Sequence, residues 1–183
     1  MSGFFSKIFG GKKKEENSIE SLLKTVLKNL LDKSGLDLSF NIKIENPNEG
    51  EFDALVELKG ADEALLTERE GATIDAIQLF LKRVVQHNFS EVRVNVSIDC
   101  NGFREEYQQS LIDLADKLKA VAIEKGKSVY IRALSPKDRK VIHQYLADDT
   151  RIKSRSIGDG LYKKIKIFPA NAKNNNSDDK QLD

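Results

Sequence analysis

A chain of 183 residues with 39% apolar and 32% charged side chains can form one large or two small globular domains, and no apolar run approaches the length of a membrane span. One cysteine excludes an internal disulfide and, with two histidines, makes no recognisable zinc spacing, which fits a reducing cytoplasm and implies no metal or other cofactor. The net charge of +1 hides an asymmetry. Residues 127–168 hold eleven basic side chains against four acidic ones, a net +7, so the remainder carries −6; such a distribution points to a polyanionic partner.

Residues 1–16 read as a flexible basic and apolar N-terminus with no secretory signal. Phe4, Phe5, Ile8 and Phe9 beside Lys7 and Lys12 to Lys14 would suit a short interfacial helix on anionic lipid, although such a segment is more often a frayed terminus. From Asn17 the apolar residues Ile19, Leu22, Leu23, Val26, Leu27, Leu30 and Leu31 follow the helical period; Asn17 and Glu20 have capping-box spacing and Gly35 is the stop. Alternation over Leu36 to Ile44 and Phe52 to Leu58, around the turn residues Asn46 to Gly50, predicts a hairpin.

A short helix around Ala61 to Leu66, the segment Thr67 to Gly71, a long helix from Ala72 to Gln86 and a strand from Val92 to Ile98 follow. A three-stranded sheet covered by helices is the economical way to bury these faces. Asn101-Gly102 breaks the pattern before a helix from Phe103 to Lys125, stopped by Gly126, and Val129, Ile131 and Leu134 suggest another strand. Ser135 then reads as a helix cap, with Pro136 at the first helical position and Asp138 in the positively polarised first turn. Arg151 to Ser156 and Leu161 to Phe168 read as a hairpin around Ile157 to Gly160, with one basic face and one core face, and residues 170–183 as a disordered tail. The organisation expected is a domain over 17–100, a second over 101–169, and no internal repeat.

On the capped helix Arg139 and His143 are four residues apart and share one face. A guanidinium offers a planar fork of donors to phosphate oxygens, and an imidazole adds a donor or stacks on a base. Packing of the imidazole against its own helix is the commoner fate of such spacing in isolation. The surrounding lysines and arginines favour the nucleic-acid reading.

Two parts of the chain match a known family. Leu134 to His143, followed by Asp148-Asp149 and Ser154 to Gly158, resembles the single-stranded nucleic-acid binding domain named for its Arg-x-x-x-His pair, the R-three-H domain. Gly71 to Gln78, Val92 to Asp99 and Gly102 to Arg104 resemble the KH-type domain of the bacterial SpoIIIJ-associated Jag/KhpB family. The likeness covers about residues 18–169, with both domains in the family's order. It implies an α+β fold, a KH-like three-stranded sheet with helices in type II order followed by a small R-three-H α/β domain. It also implies a cytoplasmic RNA-binding regulator linked to cell elongation, division or sporulation and partnered by a small single-KH protein.

Carried over, Arg139 and His143 take the named positions, and the KH Gly-x-x-Gly loop falls on Glu68, Arg69, Glu70 and Gly71. Glu68 stands where the first glycine belongs. Its bulk and the added charge of Glu70 oppose close approach of a phosphate backbone, which argues against RNA gripping there and for a scaffold or a homodimer surface. Longer family members carry an extra small domain ahead of the KH unit, where this chain has about sixteen residues.

The function expected is single-stranded RNA binding, with single-stranded DNA an open alternative, mainly through Arg139, His143, Lys137, Lys140, Arg151, Lys153, Arg155, Lys164 and Lys166. The alternative is a protein-interaction adaptor whose acidic KH part dimerises or binds a partner. An enzyme is disfavoured: no Gly-rich phosphate loop occurs, His87 sits at a helix end, and Cys100 has no basic residue nearer than Arg93 and Arg104.

Overall fold

The computed structural model describes residues 3–171, with side chains described for 16–171. The chain divides into two compact units, Met1–Arg104 and Glu105–Asp183. Both are α+β, each built on a three-stranded sheet.

The first unit comprises α1 (Gly3–Ser34), β1 (Leu38–Asn48), β2 (Glu51–Gly60), α2 (Glu63–Asn88) and β3 (Arg93–Cys100). The helix α1 starts well before the expected cap at Asn17, because Lys12 to Glu16 are strong helix formers and carry the helix through the local capping signal. It ends as expected at Gly35, whose φ of +70° suits a residue without Cβ and whose N–H donates to Leu31 O at 3.0 Å. The reading of Phe4, Phe5, Ile8 and Phe9, and that of the tail beyond residue 171, lie outside the described side chains.

In the first sheet the order is β1-β2-β3, with β1 antiparallel and β3 parallel to the central strand. Phe52, Ala54, Val56 and Leu58 alternate along β2 and are all buried. They meet Ile19, Leu23 and Leu27 of α1 and Ile74, Leu81 and Val85 of α2 in one core. Burying such side chains contributes roughly 1.5–3 kcal/mol each.

The second unit comprises the body of α3 (Phe103–Lys125) with β4 (Val129–Leu134), α4 (Pro136–Ala147), β5 (Ile152–Ile157) and β6 (Lys163–Pro169). Its sheet order is β4-β6-β5, antiparallel throughout, so the last strand lies in the middle. Leu111, Ala115 and Ala122 of α3 and Ile142 and Leu146 of α4 bury against Ile131, Leu134, Ile152, Ile165 and Ile167. The helices thus fill one face of this sheet. The expected second strand begins later than Leu161: Leu161 and Tyr162 leave the sheet and are 63% and 59% exposed.

Candidate nucleic-acid interface

The cap of α4 forms as its sequence dictates. Ser135 has extended backbone (φ −62°, ψ 158°), Pro136 opens the helix, and the Ser135 hydroxyl accepts from Asp138 N–H at 3.3 Å while donating to Asp138 Oδ2 at 2.8 Å. The Tyr107 hydroxyl also donates to Asp138 Oδ2 at 3.4 Å, so this 6%-exposed carboxylate fixes α4 to α3.

That anchoring aims Arg139 and His143 at β5. Alternation along β5 sends Ser154 and Ser156 to the helix side, opposite Ile167 and Ile165 of β6. Arg139 Nη1 donates to Ser156 Oγ at 2.8 Å, Nε donates to Leu134 O at 3.2 Å, and Nη2 donates to Leu161 O at 3.3 Å. His143 is bracketed by Ser154 Oγ at 2.7 Å from Nδ1 and Ser156 Oγ at 2.9 Å from Nε2.

One proton arrangement satisfies every partner. The Ser156 oxygen accepts from the guanidinium and gives its own hydrogen to Nε2, which leaves Nδ1–H to donate to Ser154. Burial, and then the charge of Arg139, hold the imidazole below the ordinary histidine pKa, in keeping with this neutral form. Both signature side chains are half-buried and tie α4, β5 and the β5–β6 turn together. Beside them Pro136, Arg139, Lys140, His143, Gln144 and Ala147 line a shallow open groove, to which Lys140 adds an exposed cation.

The remaining basic residues do not converge on this groove. Lys153 and Arg155 of β5 point away from the helices, paired with Phe168 and Lys166 of β6, and Lys164 pairs with Ile157 on the same side. Lys166 also pairs with Tyr130 of β4, its ammonium 5.8 Å from the ring centroid. Tyr130, Lys153, Arg155, Ile157, Lys164, Lys166 and Phe168 therefore share the open face of the sheet, and none of them is acidic. Lys137 is exposed on the first turn of α4.

Arg151 differs from its neighbours. It precedes β5, and its fork is taken by Asp149, with Nε to Oδ1 at 2.9 Å and Nη2 to Oδ2 at 2.7 Å. These bonds hold the Asp149 carboxyl far below the usual carboxylate range, so the pair stays neutral as a unit.

In the first unit the segment Glu68–Gly71 breaks α2. Glu68 is extended (φ −54°, ψ 156°), and Arg69, Glu70 and Gly71 follow in left-handed backbone at φ 49°, 65° and 77°. Position 68 therefore needs no glycine for backbone shape, and its glutamate costs only the close approach that a bare backbone permits. Gly71 is required twice over: its φ is positive, and a Cβ there would lie 2.5 Å from Phe103 Cε1.

The neighbouring motif residues are structural as well. Gln78 Oε1 accepts from Ile98 N–H and from Arg104 Nη2, both at 3.0 Å, and Arg104 pairs with Asp75 at 2.8 Å. Asp99 accepts the N–H groups of Gly102 and Arg104, each at 3.1 Å. Cys100 is buried, which pushes its thiol up and away from a reactive thiolate. His87 is exposed.

Sequence reasoning missed Ser154 and Ser156 as the partners of the signature pair, and Tyr130 and Phe168 on the basic face. Strand alternation assigns Ser154 and Ser156 to one side of their strand and Tyr130 and Phe168 each to a side of theirs, but it does not say what those sides meet. Among the described residues no three His, Cys, Asp or Glu side chains gather as metal ligands, and no helix is long and apolar enough to cross a membrane.

Residues 109–169 match the R-three-H domain family, within the second unit. Over 132 residues the chain is 28% identical to the RNA-binding protein KhpB of Clostridium symbiosum, covering 72% of this chain and 59% of that protein. The RNA-binding protein KhpB of Bacillus subtilis is 28% identical over 105 residues, 56% of this chain and 50% of its own length. That of Lactiplantibacillus plantarum is 29% identical over 136 residues, 74% of this chain and 39% of its own. The chain thus spans about half the length of the curated relatives it matches. The chain thus carries an R-three-H domain in its second unit and is similar, over more than half of its length, to RNA-binding proteins of the KhpB type.

Proposed function

We propose that this chain is a single-stranded RNA-binding regulatory protein of the cytoplasm that holds its ligand mainly through the second unit. The observation that carries the reading is the open sheet face, where Lys153, Arg155, Lys164 and Lys166 stand together. A sugar-phosphate strand gains from such a face through release of condensed counterions, a gain that falls steeply with salt. The names of the relatives support RNA as the polyanion. Lys137 and Lys140 extend the positive field beside the groove. Arg139 and His143 contribute chiefly by holding β5 and the β5–β6 turn in place, since their donors already serve Ser154, Ser156 and two backbone carbonyls.

The first unit is read as a protein-contacting module. Its loop carries Glu68 and Glu70 where phosphate would approach, while α2 exposes Leu65, Leu79 and Phe80 at 47%, 57% and 46%. Loss of large apolar exposure on binding a second copy or a protein partner would offset the cost of displaying it.

Filter binding of a labelled single-stranded oligoribonucleotide to the whole chain, at two salt concentrations, tests the main claim. The expected result is retention at low salt, lost when Lys153, Arg155, Lys164 and Lys166 are together replaced by Gln. Retention unchanged in that variant, or absent in the parent, overturns it.

A further inference from the structure

We infer that Tyr130 and Phe168 form a base-stacking platform on the open face of the second sheet, so that a single strand lies across β4, β6 and β5 with its bases on these rings and its phosphates on the flanking cations. The inference rests on the RNA-binding reading above and deepens it by naming where the bases go.

Three observations converge on these rings. Neither belongs to the set of apolar side chains packed on the core of the second unit, which includes Tyr107, Val129 and Tyr145. Both are half-buried and lie on the face opposite the helices, because Tyr130 pairs with Lys166, and Phe168 stands two residues further along the same central strand. Each has a cation directly across the ladder: Lys166 opposite Tyr130, its ammonium over the ring at 5.8 Å from the centroid, and Lys153 opposite Phe168.

A diagonal pair on adjacent strands is about 7–8 Å apart, so the rings offer two separate platforms rather than one. A flat, basic sheet with aromatic side chains is the arrangement that single strands use, since every base has a π face and the backbone tracks the charge. The rings decide the occupant: an acidic peptide would meet the cations equally well but would leave both rings without flat partners.

Fluorescence anisotropy with a labelled single-stranded oligoribonucleotide tests this on the whole chain. Tyr130→Ala and Phe168→Ala should each weaken binding about fivefold or more while leaving the slope of log affinity against log salt unchanged, because no phosphate contact is lost. Tyr130→Phe and Phe168→Tyr should bind as the parent does, and thermal melting identifies any variant that has merely unfolded. Independently of folding effects, ultraviolet crosslinking of the parent chain to the oligonucleotide should yield adducts at Tyr130 and Phe168. If the parent binds, the alanine variants bind equally well and crosslinks fall elsewhere, the platform is wrong while the RNA reading stands. If the parent does not bind, both fail together.

Discussion

Arg139 and His143 are joined through one hydroxyl: Ser156 Oγ stands 2.8 Å from Arg139 Nη1 and 2.9 Å from His143 Nε2. The pair that names the domain therefore works as a brace between α4 and β5. Ser156→Ala should strip Arg139 of an acceptor and His143 of a donor at once. A hydrogen bond of this kind contributes about 1 kcal/mol, so the midpoint of thermal unfolding of the second unit should fall by roughly 4–8 °C. A midpoint within a degree of the parent would mean that the brace carries no stability.

The same brace makes the second unit sensitive to acid. Burial and the neighbouring guanidinium lower the His143 pKa in the folded state, so the unfolded chain takes up the proton first as pH falls. Stability is then full above the ordinary histidine value of about 6.5 and declines as pH drops from there to the lowered folded value, below which both states are protonated and the loss is complete. Thermal melts at pH 7.5 and 5.5 should show this decline in the parent and a smaller one in His143→Gln. Equal slopes in the two proteins would assign the acid sensitivity to other groups.

Much of this was legible in the sequence, and what was not has a common cause. The cap at Ser135, the break at Glu68–Gly71 and the basic and apolar faces of β6 are written in residues a few positions apart, where turn chemistry and alternation act. Two of the three partners of Arg139, Ser156 and Leu161, lie seventeen and twenty-two residues away, beyond any local signal. Tyr130 was hidden between Val129 and Ile131, whose apolar pattern marks the strand and draws attention from the residue on its other face. Leu161 and Tyr162 continue the apolar pattern of β6 but fall in the turn. Arg151 looked like one more cation because its distance from Asp149 says nothing about whether the fork closes on the carboxylate.

Gly71 should tolerate no side chain. In Gly71→Ala the new Cβ meets Phe103 Cε1 at 2.5 Å and the backbone must keep a φ of +77°, which together should cost about 2–4 kcal/mol. Urea unfolding of Gly71→Ala, Phe103→Ala and the double variant separates the two causes. The double variant should lose less than the two single losses added, because trimming Phe103 frees the space, while the cost of positive φ persists. Strict additivity would show that the ring does not press on this position.

Two residues earlier the opposite substitution should help. Arg69 is exposed and sits at φ 49°, where a Cβ is strained and glycine is not. Arg69→Gly should stabilise the first unit by about 0.5–1 kcal/mol in the same urea measurement. A loss of stability would mean that the arginine side chain makes contacts worth more than the strain it imposes.

Salt dependence distinguishes cations that meet phosphate from those that only lie nearby. Five phosphate contacts to a single strand give a slope of log affinity against log salt of roughly −3.5, and each lost contact flattens it by about 0.7. Arg155 lies exposed on the open face opposite Lys166, so Arg155→Gln should flatten the slope by one such step. Arg151 is equally exposed, but Asp149 already closes its fork and cancels its charge, so Arg151→Gln should leave the slope where it was. Replacing Asp149 instead would free the guanidinium, and Asp149→Asn should raise affinity at low salt and steepen the slope. Identical slopes for the Arg151 and Arg155 variants would show that the strand does not distinguish the paired cation from the open one, and that the ligand path runs elsewhere than over β5 and β6.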